Sequence, residues 1–184
     1  NDLERETTFY TLAFALEDGT LLPIATTRPE LLPACVAVFV HPDDGRYRHL
    51  VGRQARAPLF DQSVPILADR AADPEKGTGA VMCCTFGDAA DVAWQRAHRL
   101  PIIQAIDPAG RMTAAAGRYA GQTTDDAREH VAGDLGAAGL LLGKQSAGQT
   151  VRVHERCDTP VDPLGQGEYI ARGFRVEGRR HLTR

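Results

Sequence analysis

Residues 8–16 alternate loosely between apolar and polar positions, which predicts a strand. Glu17-Asp18-Gly19 is a turn signal, and residues 21–26 read as the returning strand of a hairpin. Residues 30–34 fit a single helical turn. Residues 35–40 (C-V-A-V-F-V) are all apolar, the mark of a strand covered on both faces. His41-Pro42-Asp43-Asp44-Gly45 breaks that run, and residues 46–51 predict a short helix. Residues 55–59 and 64–68 read as two further strands. Residues 80–84 read as another buried one, entered through Gly77-Thr78-Gly79.

Helical spacing is clearest over residues 88–99, where Ala89, Val92, Ala93, Ala97 and Leu100 recur on one side. Asp88 is a suitable N-cap and Pro101 a suitable terminator. Residues 102–106 predict the next strand, and Asp107-Pro108-Ala109-Gly110 a turn. A second helix is predicted over residues 124–138, capped by Thr123 or Thr124, with acidic residues in its first turn and Gly139 just past its end. Residues 140–144 and 150–154 read as closing strands. Many short strands with two helices inserted among them predict an α+β domain resembling a β-barrel. Gly165-Gln166-Gly167 is a break, residues 168–176 fit an edge strand, and residues 178–184 look like a tail or a severed connection.

Composition narrows this picture only modestly. The chain has 184 residues, 43% hydrophobic and 24% charged, which suits one globular domain with its own core. No apolar run reaches the ~18 residues of a bilayer span. The first residues are polar and carry no signal-peptide pattern, and a start at Asn1 suggests a piece of something longer. Cys35, Cys83, Cys84 and Cys157 form no C-x-x-C pair, so zinc is not expected. The first three sit in apolar runs and read as buried reduced thiols, pointing to the cytoplasm. The net charge of −3 does not mark a general nucleic-acid binder. Arginines nevertheless cluster at residues 46–56 and 172–184.

Ordinary catalytic devices are missing. Ser63 and Ser146 lie in no nucleophile elbow, there is no phosphate-binding glycine loop, and the six histidines lack the spacing of a zinc helix. Cys83 and Cys84 are poor candidate nucleophiles inside an apolar strand. Chemistry here is therefore expected to rely on water and on positioning. Two stretches stand out. Thr26-Thr27-Arg28-Pro29-Glu30 places two hydroxyls and a guanidinium at a strand end. Gly77-Thr78-Gly79-Ala80-Val81 leads through Met82-Cys83-Cys84-Thr85-Phe86-Gly87 into Asp88-Ala89-Ala90-Asp91. Glycines admit a close approach to the backbone. Asp91, in the first helical turn, has its ionised form favoured by the helix dipole and suits a substrate ammonium group. Asp88 and Asp91 also read as a plain capping pair.

Together these motifs resemble the editing (CP1) domain inserted in class I aminoacyl-tRNA synthetases for valine, isoleucine and leucine. Their order and approximate spacing match. The likeness continues through residues 32–44 (L-P-A-C-V-A-V-F-V-H-P-D-D), through Cys84-Thr85-Phe86-Gly87-Asp88 and around His154-Glu155-Arg156-Cys157, spanning roughly residues 6–162. T-T-R-P-E resembles the valyl branch. Isoleucyl enzymes typically carry Trp after the Pro and lack the Arg, and leucyl enzymes differ in the strand that follows. C-T-F-G-D is similar to archaeal-type valyl enzymes, whereas typical bacterial ones have Lys at the position of Met82 and His at that of Gly87.

The resemblance implies an editing domain over residues 1–162 and a connection toward a catalytic core over residues 163–184. It implies hydrolysis of threonine misattached to valine tRNA. The alternatives are an isoleucyl or leucyl editing domain, or a non-catalytic insertion that docks tRNA. It further implies that Asp91 binds the α-amino group, that Thr26 and Thr27 line the pocket around the ester and the water, and that Arg28 lies beside the terminal adenosine. Asp88 would orient Asp91. Gly77, Thr78 and Gly79 would contact the terminal nucleotide through the backbone, and Met82 and Thr85 complete the substrate-binding set. No cofactor or metal is implied. The expected partners are the 3′ end of threonyl-tRNA(Val) and the rest of a synthetase in cis, with no membrane, and the isolated domain is expected to be a monomer.

Overall fold

The structure is a computed structural model that describes residues 7–85 and 87–146. The strands expected at residues 150–154 and 168–176, Cys157 and the proposed division at residue 163 lie outside the described residues.

The first hairpin forms as its pattern predicts. Strands β1 (Thr8–Leu16) and β2 (Leu21–Thr26) pair antiparallel, with Tyr10 opposite Thr26. Asp18 accepts the Thr20 N–H at 2.9 Å, and Gly19 takes φ +84°, which closes the turn. A 3₁₀ segment, Pro29–Ala34, leads into β3 (Cys35–Val40), and a shorter one, Arg48–Leu50, replaces the helix expected over residues 46–51. Strands β4 (Gln54–Arg56), β5 (Ser63–Ala68) and β6 (Val81–Cys84) follow, then α1 (Ala89–Ala97), a 3₁₀ segment at Ala114–Tyr119, α2 (Thr124–Ala137) and β7 (Leu141–Ser146).

The strands form one mixed sheet in the order β2-β1-β4-β5-β3-β6, with β7 added to β1. Among the described residues, only the β3–β5 pairing is parallel. The two ends of the path, β2 and β6, return to touch each other, so the sheet is a nearly closed barrel. Alternate residues fill it: Leu12, Phe14, Leu22, Ile24, Val38 and Ile66 share the main core. Helix α2 covers this core with Ala127, Val131 and Leu135, spaced four apart.

β3 is buried on both faces, as its composition demands. Its register with β6 shifts between Cys35 and Ala37, and this bulge turns Val36 and Ala37 both outward, beneath α1. There Phe39 stacks on Trp94, with ring centroids 4.3 Å apart.

Four further sequence expectations change. The buried residues of α1 are Asp91 and Trp94, not the alanine stripe, because one indole offers far more apolar area than several methyls. Pro101 does not end that helix. Arg99 adopts the left-handed conformation (φ +52°), and the Leu100 N–H bonds to the Gln95 carbonyl at 3.0 Å, turning Leu100 into the core under α1. Residues 102–106 are not a strand; only Ile106 makes an isolated bridge, to Met112. The strand expected at residues 55–59 stops at Arg56, because Leu59 and Asp61 take positive φ in a tight turn. Among the described residues, no helix is long and apolar enough to cross a membrane.

Candidate active site

Because the barrel path ends at β2 and β6, the residues that leave these strands meet at the seam. From β2 the chain runs Thr26-Thr27-Arg28. The Thr26 hydroxyl accepts the Arg28 N–H at 3.0 Å and so shapes the turn out of the strand. Thr27 is half-buried, and its hydroxyl has no partner among the described residues. Arg28 is pinned twice: its Nε donates to Glu30 Oε1 at 3.3 Å, and its Nη1 donates across the seam to the Gly87 carbonyl at 3.3 Å. Its side chain stays 37% exposed.

From β6 the chain turns through Gly87 into α1. Asp88 caps the helix by accepting the Asp91 N–H at 3.0 Å, and Asp91 reciprocates by accepting the Asp88 N–H at 3.0 Å. The other Asp91 oxygen accepts the Cys84 N–H at 3.4 Å. Asp91 is only 8% exposed, whereas Asp88 is open to solvent. The expected ionising effect of the helix dipole is outweighed. Burial, and then the charge of Asp88, push the Asp91 carboxyl up to about 6, although the two N–H bonds oppose the shift. Gly87 is the enabling residue, since a Cβ there would lie 2.1 Å from Asp91 Oδ2.

Gly77 also belongs to the seam. It takes φ +58°, and a Cβ on it would lie 2.9 Å from that of Ala25 on β2. The seam thus gathers Thr26, Thr27, Arg28, Gly77, Asp88 and Asp91. Other expected contacts sit elsewhere. Thr78 is buried, and its hydroxyl bonds within its own loop to Ala80. Its carbonyl accepts the Tyr47 hydroxyl. Gly79 (φ +86°) is wedged against Arg46 and Pro74. Met82 faces the main core, the place the strand period gives it. The Thr85 hydroxyl accepts the Ile103 N–H at 3.1 Å and so tethers the segment after α1. A concavity of about 390 Å³ lined by His41, Asp43, Asp44, Arg46, Pro74 and Glu75 contains none of the expected site residues.

The three described cysteines are buried free thiols. The Cys83 thiol is pushed up by burial and then by the Asp91 charge, and the Cys84 thiol by its hydrogen bond to Cys35 and by burial. Neither is a competent nucleophile at neutral pH.

Sequence reasoning missed Glu30 and Arg128. Glu30 is fully buried, and Arg128 of α2 grips both its oxygens, Nη2 to Oε1 at 2.8 Å and Nε to Oε2 at 3.1 Å. Glu30 was legible only as the last letter of its motif. The arginine 98 positions away carried no local signal.

No family model matches the chain. It is 51% identical over 172 residues to the valine–tRNA ligase of Haloarcula marismortui, covering 89% of this chain and 19% of that protein. It is 48% identical over 174 residues to the valine–tRNA ligase of Pyrococcus abyssi, covering 92% of this chain and 20% of the relative. The chain therefore spans about a fifth of the length of the curated relatives it matches. Among solved structures it resembles GlLeuRS-CP1, with a TM-score of 0.60, 14% identity and coverage of 76% of this chain and 99% of the other. It also resembles the LeuRS of Agrobacterium radiobacter K84 in ternary complex with tRNA and LeuAMS, with a TM-score of 0.59, 18% identity and coverage of 77% and 20%. These two likenesses establish the fold.

Proposed function

We propose, from the premise that this chain belongs to the valine–tRNA ligase family and spans one domain of it with the CP1 fold, that it is an editing hydrolase cleaving the ester of threonyl-tRNA(Val). The observation that carries the reading is the meeting, at one barrel seam, of the Thr26–Arg28 turn with the Asp88/Asp91 capping pair.

A site shaped for valine rejects threonine, its near-isostere, only about 10²-fold, a limit known from this synthetase family itself. A second, hydrolytic sieve answers that limit. It accepts threonine through the side-chain hydroxyl and refuses valine, which would leave a buried polar group unpaired at a cost of about 1–3 kcal/mol. In this reading Asp91 receives the substrate ammonium. An ionised carboxylate offers roughly four acceptor positions, so the two backbone N–H groups already bound leave room for it. The ammonium, once bound, favours ionisation and reverses the effect of burial. Thr27, whose hydroxyl is uncommitted, faces the ester and the water. Arg28 presents its guanidinium to the tRNA terminus.

The described residues supply no separate general base at the seam. The free ribose hydroxyl beside the ester assists the positioned water, and a substrate lacking that hydroxyl should be hydrolysed far more slowly. The partners in this reading are the 3′ end of the tRNA and the remainder of the synthetase in cis.

The test is hydrolysis of threonyl-tRNA(Val) beside valyl-tRNA(Val), by this chain and by the full-length synthetase in parallel, with Asp91→Ala as control. Selective loss of threonine, abolished in the variant, is the expected result. Intact ester in every arm would replace hydrolysis with a tRNA-docking role.

A further inference from the structure

Glu30 is a carboxylate with no solvent exposure, so its charge must be met inside the protein. Two guanidinium groups converge on it. Arg128 takes the forked geometry that suits a carboxylate, with one N–H on each oxygen at 2.8 and 3.1 Å. Arg28 shares Oε1 through Nε alone, at the longer distance of 3.3 Å. The Nη1 of Arg28 is thereby left to bridge the seam to Gly87, and its Nη2 has no partner among the described residues. Among the described residues, the only other ion pair of Arg128 is with the exposed Asp125, 3.7 Å from its Nη1.

Take Arg128 away, and Glu30 has one cation left among the described residues. A buried carboxylate with a single arginine draws it into the forked, two-bond arrangement. Arg28 would then rotate onto Glu30, release the Gly87 carbonyl and withdraw from the seam. We propose that Arg128, on α2 and remote in sequence from the site, is a positioning residue: by engaging both oxygens of Glu30 in the forked geometry it leaves Arg28 a single bond to Oε1 and keeps the rest of that guanidinium at the seam. The inference rests on the editing reading for its activity readout only, because the position of Arg28 is measurable without substrate.

The experiment uses this chain with Arg128→Met, which keeps the length of the side chain without its charge, and Arg128→Lys, which keeps the charge without the fork. Two readouts are taken. The first is the ¹⁵N–¹H signal of Arg28 Nε, identified by its disappearance in Arg28→Lys. The second is kcat/KM for threonyl-tRNA(Val) deacylation, measured with and without Arg28→Ala.

Arg128→Met is expected to shift the Arg28 signal and to lower kcat/KM about tenfold, a loss that disappears when Arg28 is already alanine. Arg128→Lys is expected to shift the same signal while the fold, read by circular dichroism, is retained. If Arg128→Met does not fold, Arg128→Lys carries the same comparison. An unmoved Arg28 signal, or losses that multiply in the double variant, would overturn the proposal and leave Arg128 a purely structural tie. A wild-type chain that deacylates nothing overturns the editing reading instead, and the Arg28 signal still decides the positioning role.

Discussion

Asp91 carries a cost that its neighbours only partly relieve. Its carboxyl titrates at about 6 in the fold against 3.8 ordinarily, chiefly because it is buried. Between those values the folded chain binds a proton that the unfolded chain has lost. Stability therefore falls as pH rises from about 4 to about 6, and levels off above that. The shift is worth about 3 kcal/mol at neutral pH. Asp91→Asn abolishes the titration and changes the cap by a constant amount. The stability of the wild type relative to this variant, followed by chemical denaturation from pH 4 to 7, should drop across the interval. A pH-independent difference would show that Asp91 is not the group responsible. The editing reading adds a second consequence: kcat/KM should climb through about pH 6 as the free protein ionises Asp91 and becomes able to hold an ammonium group.

Each helix has a terminal device that places nearby residues. α2 ends in a turn in which the Leu140 N–H reaches the Leu135 carbonyl at 2.8 Å, around Gly139 at φ +73°. α1 begins with a reciprocal cap that exists only because Gly87 has no side chain. The two glycines separate stability from activity. Gly139→Ala should cost about 1 kcal/mol from its left-handed backbone, with open space around the new methyl and no effect on deacylation. Gly87→Ala should cost about 1–2 kcal/mol by opening the cap. On the editing reading it should also remove deacylation, because the new methyl drives the Asp91 carboxylate away from its two N–H donors. Thermal melts beside deacylation rates distinguish them, and equal activity in the two variants would uncouple the cap from the site.

The barrel is one cooperative object. β1 exchanges hydrogen bonds with β2, β4 and β7, β3 lies between β5 and β6, and side chains from both strands fill the same core. Amide hydrogen exchange should therefore protect β1 and β3 most strongly, and to a common free energy. A much lower opening energy for β3, β5 and β6 would mean that the two halves of the sheet unfold separately. Closure at the β2–β6 seam also unites the two motifs, which are about fifty residues apart in the chain, as the Arg28 bond to Gly87 across 59 positions illustrates.

The sequence by itself determined whatever depends on neighbours along the chain. The bounds of β1 and β2 follow from the apolar pattern along the chain and those of β3 from an unbroken apolar run, the cap at Asp88 from a carboxylate three residues before another, and the end of α2 from a glycine free to take positive φ. The grouping of Thr26, Arg28 and Asp91 into one site came from the resemblance of their motifs to CP1 domains, not from local pattern. Only the tertiary structure decided matters that depend on partners from elsewhere. Residues 102–106 have the composition of a strand but find no continuous strand to pair with. Helix α1 turns Asp91 inward because Trp94 stacks on Phe39, so burial rather than the helix dipole sets its acidity. Met82, Thr78 and Thr85 are spent on packing and backbone bonds, and Glu30 meets its counter-charge from α2. Local propensity acts over a few residues, whereas burial and charge pairing are settled by whichever surfaces the closed barrel brings together.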